Sequence, residues 1–284
     1  MEHIRRTERL AVISQILLTN PNRLYNLNEF GQMLNAAKSS ISEDIELLAE
    51  ACEKYGVGAV ETIPGAAGGV RYRPRVSKEK AAQIVSSVAK KLSEPGRLLP
   101  GSFLYSSDVA SDPEITRQLA SVVAAKYMGN VPDFVLTMET KGIPFALMTA
   151  QALGAGLVIA RRDSKAYEGS AVKINYISGS DNERVDTMAI SRRAVKAGQK
   201  ALIVDDFAKG GGTLQGMTEM MHECQIEVVG VEVMIATRQP KVKLCKDVSS
   251  LMWLNGIDRL TASCDVVPDE RYLMDAASEG KVEP

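Results

Sequence analysis

The stretch ALIVDDFAKGGGT, residues 201–213, constrains the fold more than any other part of the chain. Its first four residues are apolar and read as a buried strand. Two adjacent carboxylates close that run, and three glycines and a threonine follow. Beyond them LQGMTEMMHEC carries a helical pattern. A strand, a short glycine turn and a helix make the crossover unit of a parallel sheet. In such sheets ligands bind outside the carboxyl ends of the strands. Asp205 and Asp206 therefore stand where a ligand is met.

The same alternation recurs along most of the chain. Strands are expected at 133–139, 156–162, 171–178, 200–206 and 227–236, with the third hairpinned to RVDTMAIS. IPFALMTAQAL is helical. The fold class expected is α/β with a mainly parallel sheet. GAGLVI at 154–159 has a GxG spacing, but it precedes a strand instead of following one, so its glycines read as a helix stop. GxxxxGK[ST] does not occur.

Residues 1–74 read as a separate unit. Leu10, Ile13 and Leu17 share one face of a first helix, which NPN stops. Asn26 and Glu29 have capping-box spacing before a helix that buries Leu27, Phe30 and Leu34. Ser40 and Glu43 repeat that spacing before a third helix with Ile41, Ile45 and Leu48 inside and Gly56 at its end. VGAVETI and VRYRPRV then make a hairpin. Three helices and a hairpin in this order form a winged helix-turn-helix. Residues 75–284 form the second unit, with a connecting helix over 75–96 and a polar tail from about 274.

With 284 residues and a net charge of −1, the chain has no global basic field to draw in nucleic acid, so basic sites must be local. The four cysteines are dispersed without CxxC spacing, which argues against zinc and against a disulfide framework. MEHIRRTERL has no apolar signal core, and no apolar run approaches the roughly 18 residues that span a bilayer. A reduced, cytoplasmic setting with no membrane partner is expected.

The glycine loop and the acids serve different parts of one ligand. Glycines and a helix N-terminus bring backbone N–H groups and partial positive charge to a phosphate. Ala208, Lys209, Gly210, Gly211, Gly212 and Thr213 form that cradle. The carboxylates of Asp205 and Asp206 repel phosphate, but they accept from sugar hydroxyls or hold Mg²⁺. A sugar diol beside a phosphate satisfies both.

The apolar strand, acid pair and Gly-Gly-Thr loop resemble the phosphoribosyl pyrophosphate (PRPP) motif of type I phosphoribosyltransferases. With the winged helix in front, the whole chain resembles the purine operon repressors of low-GC Gram-positive bacteria. The resemblance implies that METKGIPFA, with Glu139, Thr140, Lys141 and Gly142, is a pyrophosphate loop. It implies that ARRDSK, with Arg161, Arg162 and Lys165, is the basic stretch beside it. It further implies a homodimer on an inverted-repeat operator, PRPP as the effector that lowers DNA affinity, and competition at the same pocket by a purine nucleotide such as guanosine tetraphosphate (ppGpp). No catalytic residue, resident metal or catalytic cofactor is expected, although Mg²⁺ can accompany PRPP. Phe207 and Tyr105 are placed to stack on a base.

Two positions depart from the transferases. Lys209 stands where 6-oxopurine enzymes carry an aspartate, and a lysine is no carboxylate base. Gly210 stands where a threonine or serine is common. Both weaken the alternative of an active purine phosphoribosyltransferase. A third possibility makes the second unit only a dimerisation platform.

Residues 1–74 hold eight Lys/Arg against nine acidic residues, and acids on a docking face oppose phosphate contact. The third helix resolves this by direction. Its start offers Lys38, Ser39, Ser40 and Ser42, while acids gather further along, and recognition helices read bases mainly with their first residues. Arg71 and Arg73 on the wing and Arg5 and Arg6 at the first helix complete the expected DNA contacts.

Overall fold

The computed structural model describes residues 4–65, 67–163, 169–178, 184–258, 261 and 263–273. The N-terminal unit contains α1 (Arg6–Thr19), α2 (Leu27–Met33) and α3 (Lys38–Lys54), then the antiparallel pair β1 (Ala59–Ile63) and β2 (Gly69–Arg73). Ile13, Leu17, Phe30, Leu34, Ile41, Ile45, Val70 and Tyr72 make its core. Asn26 is the N-cap of α2 and accepts from the Asn28 N–H, but the capping box expected with Glu29 does not form.

The capping box expected from Ser40 and Glu43 does not form. Ala37 is the N-cap of α3 and no side chain caps it, so the helix starts before the serines. The apolar stripe decides the start: Ile41 and Ile45 must both face the core, and helix from Lys38 onward already puts them there.

In the larger unit α4 (Lys78–Leu92) is capped by Ser77 and carries a continuous buried face, from Ala81 to Leu92. More than a connector, it belongs to the second core. Ser93 at its end exchanges hydrogen bonds with both backbone groups of Val266. The remaining elements are β3 (Leu98–Leu99), β4 (Phe103–Leu104), α5 (Ser107–Ser111), α6 (Pro113–Lys126), β5 (Phe134–Met138), α7 (Ile143–Leu153), β6 (Gly156–Ala160), β7 (Ala171–Ser178), β8 (Arg184–Ser191), β9 (Lys200–Ala208), α8 (Gly212–Glu223), β10 (Glu227–Thr237), β11 (Val248–Asp258) and β12 (Ser263–Pro268).

The main sheet runs β12-β11-β10-β9-β5-β6, parallel except for β12. Alternation along β9 buries it on both faces. Leu202 and Val204 face α4, α6 and α7, while Ala201 and Ile203 face α8 and the β7–β8 hairpin. The fold is α/β with a mainly parallel six-stranded sheet, as expected. The four cysteines are free. Among the described residues no helix is long and apolar enough to cross a membrane. The expected polar tail lies outside the described residues.

Candidate functional site

The acid pair is held inside β9, which continues through Asp205, Asp206 and Phe207 to Ala208. Residues 209–211 then turn the chain into α8. Gly211 is its N-cap at φ +80°, a left-handed conformation that favours glycine, and no side chain caps the helix. The first N–H groups of α8, those of Gly212 and Thr213 among them, have no partner within the helix. Gly212 has a second reason to be glycine: a Cβ there would overlap the carbonyl oxygen of Ile177 on β7. The Gly210 carbonyl accepts from the Leu244 N–H at 2.9 Å, and the Lys209 carbonyl accepts from Lys243 Nζ at 2.6 Å. The segment after β10 thus straps the loop from behind.

Asp205 is buried and its Oδ1 accepts from the Asp206 N–H at 2.9 Å. Burial, then the neighbouring charge of Asp206, holds its carboxyl well above the ordinary carboxylate range. Burial also raises Asp206, opposed by its hydrogen bond with Asp205 and by the charge of Lys141. Burial thus disfavours charge on both carboxyls, a cost that cations or hydroxyl donors at the pair would offset.

The loop expected to hold pyrophosphate sits directly against these acids. β5 ends at Met138, a cis peptide joins Glu139 to Thr140, and Gly142 is the N-cap of α7. A Cβ on Gly142 would overlap Asp205 Oδ1 and approach Thr137 Oγ1. Lys141 is near enough to Asp206 to act on its ionisation. Glu139 turns to the basic stretch instead: it accepts from Arg161 Nη1 at 3.3 Å and from the Arg162 N–H at 2.8 Å. Arg161 also exchanges both backbone hydrogen bonds with Ala189 of β8. Lys165 lies outside the described residues.

Tyr176 on β7 was not singled out by the sequence. It is buried, burial pushes its hydroxyl up, and Thr213 and the charges of Asp186, Arg162 and Asp205 act on it. It stands where the basic stretch meets the glycine loop. Its signal is faint: the one aromatic in AVKINYIS. Of the two expected stacking residues, Phe207 packs against the core on the α4 and α6 side of the sheet. Tyr105 follows β4, donates its N–H to the Arg97 carbonyl and has the Arg97 guanidinium 5.9 Å from its ring centre.

Among the described residues no three His, Cys, Asp or Glu side chains converge as a metal cage. Two carboxylates alone fit a Mg²⁺ ion that arrives already held by ligand oxygens.

At the other end of the molecule, Lys38 and Ser39 are exposed on the first turn of α3, with Ser40 and Ser42 half-buried beside them. Asp44, one of the acids of α3 expected further along the helix, is buried. Arg9 Nε contacts it at 2.7 Å and Arg6 Nε at 2.9 Å. Arg6 is thus shared between that pair and solvent. Arg5 precedes α1, its N–H donating to Glu8. Arg71 and Arg73 both contact Glu61 Oε2, at 3.2 and 3.1 Å, and Arg75 adds a third contact to the same carboxylate. They are held at the base of the wing, where Glu61, Arg73 and Arg75 line a cleft with Ala125 and Met128 of the larger unit.

A winged helix followed by a parallel-sheet domain with a twin-acid, glycine-loop site defines a two-part protein: a DNA-binding head on a phosphoribosyltransferase-type body. The family model for the bacterial purine repressor N-terminal domain matches residues 5–74, and that for the phosphoribosyltransferase domain matches residues 107–259. The probable purine biosynthesis transcriptional regulator PurR of Streptococcus pneumoniae is 41% identical over 93% of this chain and 96% of its own. The purine biosynthesis transcriptional activator PurR of Lactococcus lactis is 40% identical over 93% and 97%. The purine biosynthesis transcriptional repressor PurR of Bacillus subtilis is 37% identical over 92% of each. Adenine phosphoribosyltransferase from Thermoanaerobacter pseudethanolicus shares the fold, with a TM-score of 0.51 at 22% identity over 59% of this chain and 98% of that one. The chain belongs to the PurR family of purine biosynthesis transcriptional regulators.

Proposed function

We propose that this regulator is a cytoplasmic homodimeric repressor whose second domain senses PRPP without consuming it. The observation that carries this is the contact between the two halves of the ligand site. Asp205, buried, lies against Gly142 of the 139–142 loop, with Lys141 acting on Asp206. Asp205 and Asp206 take the ribose hydroxyls. Residues 208–213 take the monophosphate through the N-terminal groups of α8. Lys141, Arg161 and Arg162 neutralise the pyrophosphate with its Mg²⁺. Lys209 in the loop supplies no carboxylate to move a proton on a purine ring, which supports sensing over turnover.

PRPP binding lowers operator affinity, and a purine nucleotide bearing a pyrophosphate, such as ppGpp, competes for the same charges. Two copies bind an inverted-repeat operator through the start of α3 and the wing. The relatives are named for both repression and activation, so the direction assigned here follows the Bacillus relative.

A gel-shift titration with PRPP tests the assignment. Asp205→Ala is expected to bind the operator as the unaltered chain does and to keep it at PRPP concentrations that release the unaltered chain. A mutant that still releases DNA with PRPP removes the acid pair from the site.

A further inference from the structure

One helix spans the interval between the ligand loop and the winged helix. α7 follows its N-cap Gly142, which is pressed against Asp205, and ends at Leu153, with Gly154 as its left-handed C-cap at φ +65°. Its 11 residues cover about 16 Å at ~1.5 Å per residue. Phe145, Ala146, Thr149, Ala150 and Leu153 are buried along it, so it is packed as one stiff rod.

The far end of the rod touches the N-terminal unit at one turn. The carbonyl of Leu153 is one that a helix leaves without an internal partner. It accepts from Asn22 Nδ2 at 2.8 Å. The carbonyl oxygen of Pro21 packs on Gly154 so closely that a Cβ there would overlap it. Asn22 also donates its backbone N–H to the Tyr72 carbonyl of β2 at 2.8 Å. A single residue, held at φ +60°, thus joins the last carbonyl of α7 to the inner strand of the wing.

We infer that α7 is the coupling element: filling the 139–142 loop displaces the start of α7, and Asn22 passes the displacement to the wing. This rests on the reading of the acid-pair site as a PRPP sensor. Asn22 is a positioning residue that touches neither ligand. Both sites bias the placement of one rigid element, which is the physical requirement for coupling at a distance. Linkage then makes bound operator weaken PRPP by the factor by which PRPP weakens the operator.

The test uses the full chain, PRPP with Mg²⁺, and a purine-gene control fragment. Asn22→Gly removes the amide and keeps a residue that tolerates positive φ. Gly154→Ala places a methyl against Pro21. For each, PRPP affinity is measured by calorimetry without DNA, and operator affinity with and without saturating PRPP.

In both variants the PRPP-induced loss of operator affinity, about 5–150-fold for typical couplings, is expected to shrink toward unity. PRPP affinity in the absence of DNA is expected to stay unchanged. An undiminished effect in both variants overturns the inference. If either variant loses the operator altogether, hydrogen exchange on the unaltered chain decides. PRPP is expected to change protection at residues 20–25 and 70–72, and unchanged exchange there overturns the coupling role. A chain that binds no PRPP at all refutes the sensor reading instead, so the two failures are distinguishable.

Discussion

Gly142 lies so close to Asp205 that any side chain on it would collide with the carboxylate. Two segments far apart in sequence meet at this point, the loop proposed to hold pyrophosphate and the end of β9 with the acids proposed to bind sugar. Gly142→Ala is expected to push them apart. Overpacking of this kind costs about 1–3 kcal/mol. A thermal melt should show that loss, calorimetry should show PRPP affinity falling at least tenfold, and a gel shift should show operator binding intact.

The buried acid pair sets a pH dependence. Burial first, and the charge of Asp206 second, hold Asp205 above its unfolded value. An acid raised in this way favours the fold while protonated, and that contribution is lost as pH rises through its folded value. Asp205→Asn is therefore expected to raise the melting temperature at about pH 8 by roughly 2–4 °C, the shift that ~1 kcal/mol gives in a domain of this size. The gain should fade toward about pH 4, the ordinary aspartate value, where the raised native carboxyl is already protonated. The same variant should weaken PRPP by about 10–100-fold, the loss of a charge-assisted hydrogen bond.

Arg9 and Asp44 make a buried ion pair in the winged helix, with Asp44 fully enclosed. Removing one member of such a pair costs about 3–5 kcal/mol. Arg9→Met is expected to melt the N-terminal unit in a separate, earlier transition. Operator binding should be lost and PRPP binding by the larger unit retained.

Glu61 holds Arg71, Arg73 and Arg75 at the base of the wing. If the wing meets DNA as proposed, Glu61 competes with phosphates for those guanidinium groups. Glu61→Gln is expected to tighten DNA binding by about threefold to tenfold at low salt and to steepen the fall of affinity with salt, since more phosphate contacts release more counterions. Arg71→Ala should do the reverse. Filter binding across a salt series reads both.

Strands β5, β6, β9 and β10 were legible because burial produces short apolar runs such as FVLTM and ALIV. The acid pair and its glycine loop were legible because their chemistry is unusual at a strand end. The start of α3 was misjudged because Ser40 and Glu43 imitate a cap, whereas burial of Ile41 and Ile45 outweighs a cap and the helix begins at Lys38. α6 had a readable start in Asp112 and Pro113, where the Asp112 carboxylate accepts from two N–H groups. β11 was hidden: Ser249, Ser250 and Asn255 interrupt its apolar run, and tertiary contacts alone make Ser250 a buried core residue. Asn22 could not be found from sequence, since its partner Leu153 lies 131 positions away.

Calorimetric titration of PRPP with Mg²⁺ into the full chain, free and then saturated with operator, is the most direct measurement. The free chain should bind one PRPP per site with no product formed, and the operator-bound chain should bind it more weakly by the factor through which PRPP releases DNA. Absence of binding heat, or equal affinity in the two states, would contradict sensing at the acid-pair loop.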